Sequence, residues 1–204
     1  MIHFKRINGE QSGFTIIELL IATLIFSTVL LIATFAVIQI SRTYIKGFIS
    51  SQTENTTRSV IDDVTQAIQL SGPTSVTLAS SGGWNAFCIN GVRYTYRLNV
   101  ELNPTLGPNN TNVFVRDQPA SGNCTPNINY ANPGTELLST NERLVNLSLN
   151  QVPGSANLYQ IDLSILYGND NVTIGGNGKL CLDNSIGGSF CSLSTTSTTI
   201  EERQ

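Results

Sequence analysis

Between Phe14 and Ile40 the chain carries one charged side chain, Glu18. An apolar run of this length exceeds the roughly 20 residues that a helix needs to cross a bilayer. Several of its residues are threonine or β-branched, which weakens helix propensity in water. In lipid that weakness is overridden, because only a helix satisfies every backbone polar group within a single segment. The run therefore predicts a membrane-spanning helix. Glu18 lies near its start, where a polar residue can be tolerated at the membrane edge. At the bilayer centre a charged side chain costs roughly 2.5–3.5 kcal/mol, so an intramembrane carboxylate is a functional candidate by position.

The flanks sharpen this reading. Lys5 and Arg6 precede the run, and Arg42, Tyr44 and Lys46 follow it. By the positive-inside rule the first pair holds residues 1–13 on the cytoplasmic side, and the second group suits an interfacial anchor. The stretch Ser12-Gly13-Phe14-Thr15-Ile16-Ile17-Glu18, opening directly into the apolar run, resembles the N-terminus of type IV prepilins and type II secretion pseudopilins, the class III signal. In a secretory signal the apolar region precedes the cleavage site; here the order is reversed. The resemblance implies that a membrane aspartyl prepilin peptidase cuts between Gly13 and Phe14, and that the same enzyme N-methylates Phe14. It implies that Glu18 meets the α-ammonium of a neighbouring subunit during filament assembly. A charge paired in trans is far less costly in lipid than an isolated one, so assembly relieves a penalty that the free subunit carries.

Processing at that bond would change the inventory. Loss of Lys5, Arg6 and Glu10 leaves 9 basic and 13 acidic side chains, and the only histidine, His3, goes with the leader. A Ser-His-Asp triad or a His-ligated zinc is then impossible within the chain. No Gly-x-Ser-x-Gly motif is present either, and a membrane-anchored enzyme is disfavoured. The acidic pI of about 5.1 and the lack of a basic cluster argue against nucleic-acid binding.

Four cysteines remain, Cys88, Cys124, Cys181 and Cys191, all downstream of the apolar run and so on the oxidising side of the membrane. Four cysteines allow three pairings. Cys181 and Cys191 bracket a short loop rich in Asn, Ser and Gly, which favours Cys181–Cys191 together with Cys88–Cys124. A metal site is the competing reading, weakened by the absence of Cys-x-x-Cys spacing. Calcium at Gly168-Asn169-Asp170-Asn171, with Asp162 and Asp183, is a second metal reading. The loop lacks the full Asp-x-Asp-x-Asp-Gly pattern, and turn chemistry explains its residues equally well. No cofactor is expected.

From Gly47 to Leu70 the pattern becomes striped. Val60, Ile61, Val64, Ala67 and Ile68 recur at three- and four-residue spacing, with Asp62, Asp63, Thr65, Gln66 and Gln69 on the other face. Asp62 and Asp63 read as solvated helix residues. Ser71-Gly72-Pro73 is a stop signal. Beyond it the period is two. Val92, Tyr94, Tyr96 and Leu98 alternate with polar residues, as do Val145, Leu147 and Leu149, and Tyr159, Ile161, Leu163, Ile165 and Tyr167. Asn90-Gly91 between Trp84–Ile89 and Val92–Val100 predicts a two-residue hairpin. Shorter strands are expected at Asn112–Arg116, Asn171–Ile174, Lys179–Leu182 and Thr195–Ile200. Trp84, Tyr94 and Tyr96 read as core aromatics rather than a stacking platform.

Together these signals predict an α+β fold: a long N-terminal helix, membrane-spanning in its first half and amphipathic in its second, packed against an antiparallel β-sheet domain. The divisions are residues 1–13 as leader, 14–40 as membrane and assembly helix, 41–71 as amphipathic helix and 72–204 as a β-rich domain. Tyr94-x-Tyr96-x-Leu98, the late Cys181 and Cys191, and the Tyr159–Tyr167 strand look like PilW-like and J-type minor pilins. Many major pilins carry a helix-breaking proline in the apolar helix, and none occurs between Phe14 and Ser71. That departure suits a minor or tip subunit. The resemblance implies as partners the peptidase, other pilins through the N-terminal helix, the assembly platform and the lipid bilayer. A pilus-tip binding module, adhesin or DNA-uptake pilin, is the alternative function.

Overall fold

The computed structural model describes residues 13–70, 76–118, 124–127, 134–155, 157–169, 173–174, 180–181 and 190–202. The leader up to Ser12, the Ser71-Gly72-Pro73 stop, Asp170, Asn171, Lys179, Leu182 and Asp183 lie outside them. The chain forms two compact units, residues 1–42 and 43–204. One helix, α1 (Ile16–Gln69), contributes to both.

In the second unit α1 buries Ile49, Thr53, Thr57, Val60, Ile61, Val64 and Ile68. Spacings of three and four residues put these side chains on one stripe. The stripe starts earlier than the apolar residues announce, because two threonines extend it. Their hydroxyls are satisfied within the helix, Thr53 Oγ1 donating to the Ile49 carbonyl at 2.9 Å and Thr57 Oγ1 to that of Thr53 at 2.8 Å. Each threonine can then face the core through its methyl group without leaving a donor unpaired.

The expected antiparallel β structure is present, divided among the described residues into three sheets. β1 (Thr77–Ser81), β2 (Trp84–Ile89), β3 (Val92–Tyr96), β4 (Phe114–Asp117) and β5 (Thr135–Glu136) form a five-stranded antiparallel meander in chain order. β6 (Glu142–Gln151), β7 (Leu158–Tyr167) and β10 (Ser192–Glu201) form a second sheet in the order β10-β7-β6, and β8 (Thr173–Ile174) pairs with β9 (Leu180–Cys181). The division begins after β3. Leu98 is more than a third exposed and Asn99 takes a left-handed φ of 61°, so the strand predicted to reach Val100 ends at Tyr96. The chain then crosses to β6, where Asn99 N–H donates to the Leu144 carbonyl at 2.7 Å and Leu102 N–H to that of Glu142 at 2.8 Å. Between these bonds Glu101 and Arg143 form an isolated antiparallel bridge, and their buried side chains pair at 3.3 Å. Arg143 also donates to the Gly168 carbonyl at 2.9 Å, so a guanidinium supplies the positive charge at the start of the loop considered for calcium.

One core joins the helix to both large sheets. Val60, Ile61, Val64 and Ile68 of α1 pack with Phe87, Tyr94 and Phe114 of the first sheet and with Leu144, Leu147, Ile161, Leu163 and Ile165 of the second. At about 1.5–3 kcal/mol for each large apolar side chain fully buried, this cluster is the main stabilising element. The Val145 face is shifted by a register irregularity between Leu144 and Asn146, which buries Leu144 and leaves Val145 partly exposed. Phe87 and Tyr94 stack at 4.6 Å inside the core. Asp63, read from sequence as solvated, instead anchors α1 to the first sheet. It accepts from the Tyr94 hydroxyl at 2.9 Å and pairs with Arg116 at 3.1 Å. Asp62 is exposed.

The Asn90-Gly91 turn has φ of 47° and 76°, the left-handed pair that a two-residue hairpin requires. Two disulfides close the second unit, Cys88–Cys124 across 36 residues and Cys181–Cys191 across 10. Loop-closure entropy places their contributions at about 4 and about 3 kcal/mol. The first brings residues 124–127 across the first sheet, where Asn127 N–H donates to Thr95 Oγ1 at 3.0 Å and Arg93 to the Thr125 carbonyl at 2.8 Å. Thr95, on the face opposite Tyr94, is buried for this reason.

Gly134 is closely hemmed in by its neighbours. Its φ is +101°, and a Cβ there would run into the Arg116 carbonyl oxygen and come within 2.8 Å of Asp117 Cβ. Gly134→Ala combines left-handed strain with collision against a strand backbone, and should lose about 2–4 kcal/mol in urea unfolding. An unchanged midpoint would show that the β5 approach is looser than described.

Candidate processing and assembly site

Gly13, Phe14 and Thr15 precede α1 in an irregular conformation, and Phe14 is 83% exposed. A Cβ built on Gly13 meets nothing within 4 Å.

The first helical turn is closed by a pair that sequence reading missed. Thr15 N–H donates to Glu18 Oε2 at 3.2 Å, Thr15 Oγ1 donates to the same oxygen at 3.1 Å, and Glu18 N–H donates back to Thr15 Oγ1 at 3.3 Å. This is a reciprocal capping box, with Thr15 at the N-cap and Glu18 at N3. Its signal, Thr-x-x-Glu ahead of an apolar run, was present in the sequence. The box satisfies donors left over at the helix start and sets a negative charge against the positive end of the helix dipole. It also turns the Glu18 carboxylate back onto Thr15.

From Phe14 to Arg42 every residue is exposed in the isolated chain. The helix holds a stretch apolar enough to cross a membrane, none of it buried. Its hydroxyls bond to their own backbone: Thr23 to the Leu20 carbonyl at 3.0 Å, Ser27 to Leu24 at 2.9 Å, Thr28 to Ile25 at 2.8 Å and Thr34 to Leu30 at 2.8 Å. An exposed apolar helix with its polar groups internally satisfied suits lipid or the apolar faces of other helices.

Against known proteins, a family model described as the prokaryotic N-terminal methylation motif matches residues 9–34. The chain carries the class III signal of type IV pilins. The match takes in Gly13, Phe14, Glu18 and the first half of the apolar run. No curated protein and no solved structure matches the chain. The signal supports a type IV pilin-like or pseudopilin precursor, implies processing by a prepilin peptidase and assembly with other pilins, and fits membrane anchoring through the apolar helix. The families that bear it are structural proteins.

The signal region and the cysteines lie in different units. Gly13, Phe14 and Glu18 fall in the first unit, while Cys88, Cys124, Cys181 and Cys191 serve the β sheets of the second.

Proposed function

We propose that this chain is a minor pilin or pseudopilin, a structural subunit without catalytic activity. It enters the cytoplasmic membrane with residues 1–13 on the cytoplasmic side. Prepilin peptidase cuts between Gly13 and Phe14 and methylates the new amine. The β-rich unit stands on the outer side of the membrane and reaches a filament surface when the subunit is assembled. Glu18 pairs with the α-ammonium of a neighbour. The observation that carries this reading is the class III signal at residues 9–34, set on an exposed helix start that Thr15 and Glu18 cap.

Mass spectrometry of the protein recovered from a host with prepilin peptidase tests it. The expected N-terminus is Phe14, heavier by one methyl group. Gly13→Ile should leave the precursor uncut, because a β-branched side chain replaces hydrogen at the residue before the bond. An N-terminus elsewhere, or full processing of Gly13→Ile, overturns the proposal.

A further inference from the structure

Glu142 opens β6 and is completely buried. Its Oε2 accepts from the Ser139 N–H at 2.8 Å, while its Oε1 is shielded from solvent and has no partner among the described residues. An ionised carboxylate in this position would hold charge on an orphaned buried oxygen, the most unfavourable arrangement for such a group. A neutral carboxylic acid fits, with the proton on Oε1 and Oε2 left as the acceptor.

The location matters as much as the burial. Glu142 lies where α1 meets the second sheet. From α1, the Thr56 hydroxyl is near enough to favour the charged form of Glu142 and lies 3.3 Å from the Ser139 hydroxyl. From β7, Tyr167 is its cross-strand partner on the same face. From the 99–103 crossover, Leu102 N–H bonds its carbonyl. The charges nearest in sequence and register, Arg143 and Glu101, pair with each other on the opposite face of the strand. On α1, Glu54 and Arg58 pair with one another at the surface. Among the described residues no ion pair to Glu142 forms. Burial pushes its carboxyl up to about 7, against the opposing hydrogen bonds from Ser139 and Thr56. Burial raises the Glu136 carboxyl as well, but four backbone N–H groups, from Val113, Phe114, Leu137 and Leu138, favour its charged form.

We propose that Glu142 is a proton-linked latch between α1 and the second sheet, holding the joint closed while neutral and loosening it when ionised. The sign follows from linkage. A carboxyl whose folded pKa lies above its unfolded value binds more protons when folded. Its contribution is fully present below the ordinary carboxyl value of 4.5 and is lost as pH rises toward and through about 7. The β-rich unit therefore grips its own helix most firmly in acidic surroundings.

Thermal unfolding of the mature chain in detergent micelles, followed by circular dichroism from pH 5.5 to 8.5, tests the latch. Tm should fall by about 5–10 °C across this range. Glu142→Gln should remove the larger part of the fall and be the more stable protein at pH 8.5. Thr56→Val removes a hydroxyl that favours the ionised form, and should move the midpoint to higher pH. A Glu142→Gln variant with the full wild-type slope overturns the latch, and an unmoved midpoint in Thr56→Val overturns the role of α1. Should Glu142→Gln fail to fold, infrared spectroscopy of the wild type decides the matter. A protonated-carboxyl carbonyl band at pH 6 that disappears near pH 7 supports the latch, and its absence at pH 6 overturns it.

Discussion

Arg143→Met should lower the unfolding free energy of the mature chain by about 3–5 kcal/mol, the usual penalty for removing one partner of a buried ion pair. Arg143 is 2% exposed and Glu101 5%, so neither can turn to water for compensation. The acceptors of the guanidinium include Glu101 Oε2 and the Gly168 carbonyl. Asn103 Nδ2 donates to the other Glu101 oxygen at 3.1 Å, and the Asn110 amide donates to the Glu101 carbonyl at 2.8 Å. The substitution thus strands a carboxylate at the crossover between the two large sheets. Urea unfolding followed by circular dichroism measures the loss. The double variant Arg143→Met/Glu101→Leu should recover most of it, because a hydrophobic replacement of a whole buried pair is often neutral or stabilising. A double variant no more stable than the single one would show that the crossover depends on these charges for its geometry.

Glu18→Ala should be cut and methylated normally, yet enter filaments roughly 10–100-fold less efficiently. That range corresponds to 1.4–2.8 kcal/mol, comparable with the cost of a charge within a bilayer. The alanine variant alone is ambiguous, since it also removes the capping box with Thr15. Glu18→Gln separates the two effects. Glutamine at N3 can still cap the helix but carries no charge. If charge pairing drives assembly, Glu18→Gln should fail as Glu18→Ala does. If Glu18→Gln assembles normally, Glu18 acts by shaping the helix start, and the pairing argument falls. Both variants should retain Phe14 as their N-terminus.

The elements legible in sequence were those with a strong period. The apolar run, the Val60–Ile68 stripe, the Asn90-Gly91 turn and the strands around Leu147–Leu149 and Tyr159–Tyr167 each carry a pattern that one geometry explains. The pattern fails where tertiary contact decides. Nothing local marks Glu142 and Arg143 as buried, since two adjacent charged residues ordinarily read as solvent-facing. Asp63 becomes an anchor only because Tyr94 and Arg116, distant in sequence, arrive beside it. The division into separate sheets depends on a chain reversal at Asn99, which has no glycine or proline to announce it. In the signal region Gly13, Phe14 and Glu18 stood out because a carboxylate in an apolar run is conspicuous. Thr15 was passed over because threonine is common throughout the chain.

The inward-turned hydroxyls of α1 restrict how the helix can be recognised. Thr23, Ser27, Thr28 and Thr34 bond to their own backbone, so between Glu18 and Ile38 the helix offers a neighbour only hydrocarbon. Polar side chains that reach across to another helix can fix both partner and alignment in lipid. Here that capacity is concentrated in a single carboxylate at one end. On the pairing proposed above, neighbouring helices would slide along one another at little cost until that carboxylate meets a cation, and alignment would be chosen at one point, like a ratchet with one tooth.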